Sequence, residues 1–255
     1  MCGNVQHIKY YNEQSLILFY SNVFRDIYGR QTPAEIFEGQ VERGHQLVWF
    51  CTDYLKEDAA VLEIGTGCGG ILKAFQEKGC RVTGVDFDPR FIEYGQKQGL
   101  DVRKGDISAV DSAEKFDLII ISHVLEYIVE PVPFLQKAMD HLAVGGQIYI
   151  EVPSLDHVAE GGYNYDLLNY YQNAHVIHFS VATLTTLLHK VGLKILKNDN
   201  FICCLVSKSE EEVKDIEANF SDMRKKQIRL IDSIEKKRTS LLGRVCRKIK
   251  NKFMS

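Results

Sequence analysis

Residues 61–70 read Val-Leu-Glu-Ile-Gly-Thr-Gly-Cys-Gly-Gly, an apolar run carrying one acid that passes directly into a glycine-rich turn. Glycines at 65, 67 and 69, with Thr66 between them, lack the β-carbons that would hold a ligand away from the backbone, and they allow the left-handed conformations of a tight strand-to-helix turn. The helix that follows is expected to aim its free N–H groups at the same place. Gly65, Gly67 and Gly70 also satisfy the G-x-G-x-x-G spacing of dinucleotide sites. Glu63 argues for a different ligand, because a carboxylate repels a pyrophosphate and attracts a cofactor bearing an ammonium and a sulfonium.

Further polar residues follow at intervals that fit the ends of successive strands. Asp86 in Gly-Val-Asp-Phe-Asp-Pro is placed to accept hydrogen bonds from two ribose hydroxyls, and Asp106 in Gly-Asp-Ile to accept one from an exocyclic amine. His123 in Ser-His-Val-Leu-Glu-Tyr and Glu151 before Val-Pro occupy the next two such ends. Aspartates also cap helices and form turns, so Asp86 and Asp106 have a purely structural alternative. Their recurrence after consecutive strands favours the ligand role, since open α/β sheets bind at the carboxyl ends of their strands.

The elements that would carry these residues alternate. Strands are expected at Ala60–Ile64, Arg81–Asp86, Leu100–Lys104, Asp117–Ser122 and Gln147–Val152, with helices at Gly69–Lys78, Pro89–Lys97 and Val132–Leu142, the last closed by Gly145-Gly146. A further helix spans Val181–Val191. Leu193–Lys197 and Phe201–Ser207 are joined by too few residues for a crossover, so they form a hairpin and add an antiparallel strand to a parallel sheet. Residues 1–58 read as a helical, aromatic-rich cap in which Pro33 follows Thr32 at a helix start and Ile36, Val41, His45, Val48 and Phe50 supply an apolar face. The chain thus divides into a cap at 1–58, an α/β domain at 59–207 and a charged helical tail at 208–255.

A length of 255 residues with 45% apolar and 25% charged side chains suits one sizeable domain with short extensions. No apolar run reaches the roughly 20 residues of a membrane span, and Ile8–Phe24 is interrupted by Lys9, Asn12 and Glu13, so a soluble, cytoplasmic protein is expected. The seven cysteines are scattered without a C-x-x-C pair and read as reduced thiols. Charge is unevenly spread. Eight basic residues and no acid lie in 236–255, which leaves 23 basic against 34 acidic residues elsewhere, a balance of −11.

With these motifs in order, residues 59–207 resemble the class I S-adenosylmethionine-dependent methyltransferases. Leu-Glu-Tyr after the fourth strand, Gly-Gly before the fifth and His-Phe-Ser ahead of a Leu-rich helix are most similar to the branch of ubiquinone-type and saccharide-tailoring O-methyltransferases. The resemblance implies a Rossmann-like seven-stranded, mostly parallel sheet with the last strand antiparallel, and S-adenosyl-L-methionine as cofactor. It makes Glu63, Gly65, Thr66, Gly67 and Gly69 the cradle for the methionine part and Asp86 the ribose ligand. Phe87 would flank the adenine, Asp106 and Ile107 would hold its other edge, and Ser122 and His123 would border the sulfonium.

Methyl transfer to a hydroxyl gains from a positioned base. The stretch Asp156–Phe179 holds His157, Tyr163, Asn164, Tyr165, Asp166, Asn169, Tyr170, Tyr171, Gln172, Asn173, His175 and His178, a mixture suited to a polyol acceptor, or to a solvated loop with structural tyrosines. His178 is the preferred base, with His175 one helical turn away to orient it and His123 as runner-up; Glu126 or Glu151 are alternative holders of cofactor or acceptor. His175-x-x-His178 falls short of the three protein ligands of a catalytic zinc, so no metal is expected.

In the tail, Val213, Ile216, Phe220, Met223, Ile228, Leu230 and Ile234 give a long helix sparse apolar contacts, and Leu241, Val245, Ile249 and Phe253 recur every fourth residue among basic side chains. That pattern suits peripheral contact of 236–255 with the anionic inner face of a membrane, or a partner. The leading expectation is a methyltransferase acting on a hydroxyl of a small molecule or saccharide. Quinone, lipid, RNA or protein acceptors and a non-catalytic scaffold are the alternatives, and the acidic balance of the rest of the chain speaks against nucleic acid.

Overall fold

The computed structural model describes residues 31–171, 175–199, 203–210 and 220–240, together with 5, 6, 12, 14, 15, 18, 19 and 23. Two central strands organise it. β2 (Ala60–Ile64) and β5 (Phe116–Ser122) are apolar on both faces, as strands covered on both sides must be. Their side chains alternate between two cores: Leu62, Ile64, Ile119 and Ile121 enter one, Val61, Leu118 and Ile120 the other. β1 (Val5–Gln6) lies outside this sheet.

β3 (Arg81–Asp86), β4 (Asp101–Lys104) and β6 (Leu142–Glu151) pair in parallel around them, and β8 (Leu193–Asn198) and β9 (Cys203–Lys208) form the expected antiparallel hairpin. The seven strands stand in the order β4-β3-β2-β5-β6-β9-β8. β9 runs antiparallel to both of its neighbours, so the reversed strand sits one place in from the edge. The order turns back between β2 and β5, and their carboxyl ends open a crevice at that point. The helices α2 (Gly70–Glu77), α3 (Pro89–Lys97) and α4 (Pro131–Asp140) make the crossovers.

α4 ends earlier than its glycines imply. His141 closes it, and Gly145 and Gly146 lie inside β6. A β-carbon on Gly146 would stand 2.9 Å from the carbonyl oxygen of Phe116, so the glycine answers to close strand contact beside a register irregularity between Phe116 and Leu118, not to a helix cap.

In the N-terminal cap region, α1 (Pro33–Cys51) begins with the capping box that Thr32 and Pro33 promise: Glu35 N donates to Thr32 Oγ1 and Thr32 N donates to Glu35 Oε2. The buried face differs from the expected one, being Ile36, Gly44, Leu47 and Cys51, while Trp49 stands 75% exposed. Gly44 sets the fit. A β-carbon there would meet Ala74 Cβ at 2.7 Å and the Ile71 backbone at 2.9 Å, which lets α1 lie closely on α2. Gly44→Leu is therefore expected to cost about 2–3 kcal/mol through overpacking, a fall in Tm of about 5–10 °C. A thermal melt unchanged from wild type would show that this contact does not hold the cap.

After β6 come α5 (Leu155–Ala159), a 3-10 turn at Gly162–Tyr165, α6 (Leu167–Tyr170) and the short β7 (Ile177–His178), then α7 (Val181–Lys190). β7 pairs antiparallel with β1, Val5 opposite His178. The charged helix α8 (Phe220–Thr239) is not a detached tail in its described length. Ile234 is fully buried against Leu155, Val158, Leu167 and Tyr170, and Lys237 Nζ donates to Ala159 O at 2.7 Å. Ile228, expected to make an apolar contact, is 49% exposed. Among the described residues no helix is long and apolar enough to cross a membrane. The expected apolar positions Val213, Ile216, Leu241, Val245, Ile249 and Phe253 lie outside the described residues, as do Gln172 and Asn173.

Candidate functional site

β2 delivers the chain into the glycine loop at the crevice. Gly65, Gly67 and Gly69 take φ values of +73°, +58° and +80°, the left-handed region in which a side chain is strained. The loop's amides are turned inward: Gly65 N and Thr66 N donate to Val85 O, Gly67 N to Asp86 Oδ2, Gly69 N to Thr66 O and Gly70 N to Gln40 Oε1. The donors that a pyrophosphate requires are thus engaged within the protein, and the expectation of free amides at the start of α2 is corrected at Gly70.

Acids dominate the remaining polar groups. Glu63 is 2% exposed and accepts from Thr66 Oγ1 at 2.6 Å. Burial pushes its carboxyl up to about 8, so at neutral pH it holds its proton until a cation comes beside it, and its attraction is weaker than its formal charge implies. Asp86 accepts from Gly67 N at 2.8 Å and Asp88 N at 2.9 Å. It therefore shapes the turn and, with a second lone pair on each oxygen, keeps capacity for hydroxyl donors. Phe87 beside it is half-buried. Asp106 caps a single 3-10 turn through Ser108 N at 2.8 Å. Ile107 is 1% exposed within the main core, so its side chain does not border the crevice and only its backbone remains for a ligand.

The opposite wall is a charge cluster at the ends of β5 and β6. Glu151 Oε1 accepts from Arg43 Nη2 at 2.7 Å, and its Oε2 accepts from Ser122 Oγ at 3.0 Å and Tyr149 OH at 3.1 Å. Burial opposes its ionisation, but His123 and Arg43 outweigh that and hold it down at about 2. His123, with φ +53°, stands between Glu126 at 3.5 Å and Glu151 at 3.7 Å. Desolvation would lower its pKa, and the two carboxylates overcome this and lift it to about 10. The two carboxylates thus favour the charged form of His123 and make it a weaker proton acceptor than an isolated histidine. Glu126 is 1% exposed, and neither of its oxygens accepts a hydrogen bond from the described residues.

Over this wall lies the segment after β6. Tyr163, Asn164 and Tyr165 are three successive non-glycine residues in left-handed conformation, a strain that folds Tyr163 back towards Tyr170, ring centroids 5.5 Å apart. The ring of His178 stands edge-on to Tyr171 at 4.6 Å and 5.9 Å from that of His175. His175 Nε2 is 3.2 Å from Tyr127 OH, and Val176 N donates to Glu126 O at 2.8 Å. The histidine pair is thereby fixed beside the 125–127 turn, with both side chains buried. No group of three metal-ligating side chains occurs among the described residues.

Two residues of this site were not legible as such. Gln40 and Arg43 project from α1, Gln40 bridging Thr66 O and Gly70 N and Arg43 reaching Glu151. Their signal is a polar pair three apart on the helix stripe that continues through buried Gly44 and Leu47. Beyond Arg43 a cavity of about 520 Å³ opens between α1 and the β8–β9 end, lined by Trp49, Phe50, Tyr149, Asp199 and Cys203.

The family model described as a methyltransferase domain matches residues 32–198. An uncharacterised protein of Methanocaldococcus jannaschii is 29% identical over 160 residues, 60% of this chain and 74% of that protein. A ubiquinone biosynthesis O-methyltransferase of Pseudomonas entomophila is 28% identical over 97 residues, and the match spans 42% of its length, less than half. Among solved structures, the plantazolicin methyltransferase BpumL in complex with S-adenosylhomocysteine (SAH) aligns with a TM-score of 0.57 at 16% identity, covering 77% of this chain and 95% of that one. The putative methyltransferase of Haloferax volcanii in complex with the Trm112 activator aligns at 0.54 with 15% identity, covering 86% and 93%. At such identities the likeness to solved structures shows a common fold.

Proposed function

This chain belongs to the methyltransferase-domain family, within the class I S-adenosylmethionine-dependent methyltransferases, and from that premise we propose that it methylates a hydroxyl group of a small molecule or saccharide. The observation that carries the donor half of this reading is the glycine loop: the amides of Gly65, Thr66, Gly67, Gly69 and Gly70 are spent internally while the half-buried Asp86 closes the turn with Glu63 buried behind it, an arrangement better suited to a cationic ligand than to an anionic one. When bound, S-adenosylmethionine supplies an electrophilic methyl on a sulfonium. The chain's residues do the rest. Asp86 binds the ribose, Phe87 lies along the adenine, and Asp106 with the Ile107 backbone meets the base edge. Gly65, Gly67 and Gly69 admit the methionine part.

On the acceptor side, Tyr163, Tyr170 and Tyr171 give flat apolar faces for a sugar ring, and the buried His178 takes the hydroxyl proton as the methyl is transferred. His175, held near Tyr127 OH, positions the His178 ring. Burial of both rings keeps water from this pair. Residues 236–255 would bring the enzyme to the anionic cytoplasmic face of a membrane, where saccharide carriers are assembled.

The ubiquinone relatives favour a second acceptor, an aromatic hydroxyl, so the test includes both. The purified chain is incubated with methyl-labelled S-adenosylmethionine and, separately, with methyl glycosides, a catechol, bulk RNA and a protein mixture. Label in the glycosides is expected. Label confined to the catechol would move the acceptor to a quinone precursor, and a chain that binds the donor yet labels none of the four would count as a scaffold.

A further inference from the structure

Glu126 is the least satisfied group in the site. It is 1% exposed on the 3-10 turn directly after β5, and neither carboxylate oxygen accepts a hydrogen bond from the described residues. Its neighbour in charge, Glu151, is fully supplied by Arg43, Ser122 and Tyr149. Among the described residues Glu126 has the His123 ring as its charged partner, whose Nδ1 lies 3.5 Å away and which also faces Glu151. A carboxylate buried so poorly served is destabilising, and a positive ligand beside it relieves the deficit. The 123–126 segment lies against the donor crevice: a β-carbon on Gly65 would come within 2.5 Å of Val124 Cγ2. Burial raises the Glu126 carboxyl, and His123 draws it back towards ionisation.

We propose that Glu126 is the counter-charge by which this site prefers the sulfonium donor to the neutral thioether product, an inference that rests on the donor assigned above. Transfer breaks the methyl–sulfur bond and forms a methyl–oxygen bond. The sulfur keeps the bonding pair and becomes neutral, and the hydroxyl proton passes to the base. The positive charge that Glu126 faces therefore disappears with turnover, and the product loses its electrostatic hold while keeping every contact of its adenosine and amino acid parts. His123, a cation beside the same spot, opposes the donor, and Glu126 offsets it.

The test is calorimetric and needs no acceptor. Kd values for S-adenosylmethionine and S-adenosylhomocysteine are measured on the full chain, on Glu126→Gln and on His123→Asn, with thermal melts to confirm folding. Glu126→Gln should shift the ratio of the two affinities about tenfold against the donor, with product affinity changed less than about twofold. His123→Asn removes the opposing cation and leaves the sulfonium itself to hold Glu126 ionised, so it should shift the ratio several-fold the other way, which keeps the idea testable if the glutamine variant does not fold. Equal weakening of both ligands in Glu126→Gln, or a ratio that neither variant moves, would overturn the proposal. Wild-type protein that binds neither ligand would instead overturn the donor assignment, and this inference with it.

Discussion

Asp86→Ala should weaken S-adenosylmethionine binding by about two orders of magnitude. The carboxylate stands at the end of β3 with its two oxygens fixed by Gly67 N at 2.8 Å and Asp88 N at 2.9 Å. Held in this way, it would meet both hydroxyls of a bound ribose, the role proposed for it, without first losing rotamer freedom. Two hydrogen bonds to a charged group are worth about 1.5 kcal/mol each, so their joint loss approaches 3 kcal/mol, about a hundredfold in Kd. The same substitution also frees Gly67 N and slackens the loop, which deepens the loss. Isothermal titration calorimetry reads the effect and a thermal melt separates it from unfolding. A folded Asp86→Ala protein that still binds the donor within threefold of wild type would remove Asp86 from the site.

That carboxylate was legible because its cues are local. An apolar run passing into a glycine turn marks the end of β2, Asp86 before Phe-Asp-Pro closes β3, and the run of Leu and Ile in β5 stops at Ser122 and His123. The hairpin was legible from loop length alone, since three or four residues cannot carry a crossover. What escaped depends on contacts distant in sequence. Gly145-Gly146 carries the composition of a helix end, and only the neighbouring backbone of Phe116 makes it part of a strand. Trp49 and Phe50 look like core residues, yet the inner face of α1 is set by Gly44 and Leu47 because α2 lies so close. Ile234 was legible as an apolar contact of the charged helix, but its receiving surface, Leu155, Val158, Leu167 and Tyr170, is assembled by contacts remote in sequence. Nor does any local pattern reveal that Glu126 is buried while Glu63 holds a hydroxyl.

The same long-range contacts bear on the proposed base, and here the largest loss of rate is expected. His178→Gln should lower kcat by about 10² to 10⁴, the usual contribution of a positioned general base, while leaving donor affinity within about twofold. The geometry separates it from His123. His123 lies between two carboxylates that favour its charged form, whereas the ring of His178 is enclosed by Tyr170 and Tyr171 and faces His175. Because burial also makes the ring a packing element, rate loss alone would not distinguish chemistry from a collapsed wall. The pH profile does. A base leaves an ascending limb in kcat that should vanish in His178→Gln, and Tyr127→Phe, which removes the hydroxyl 3.2 Å from His175 Nε2, should lower the rate a few-fold and keep that limb. Turnover of His178→Gln within threefold of wild type on a labelled acceptor would transfer the proton to another group, and the buried carboxyl of Glu126, whose backbone carbonyl already holds Val176 beside it, would be the next residue to replace.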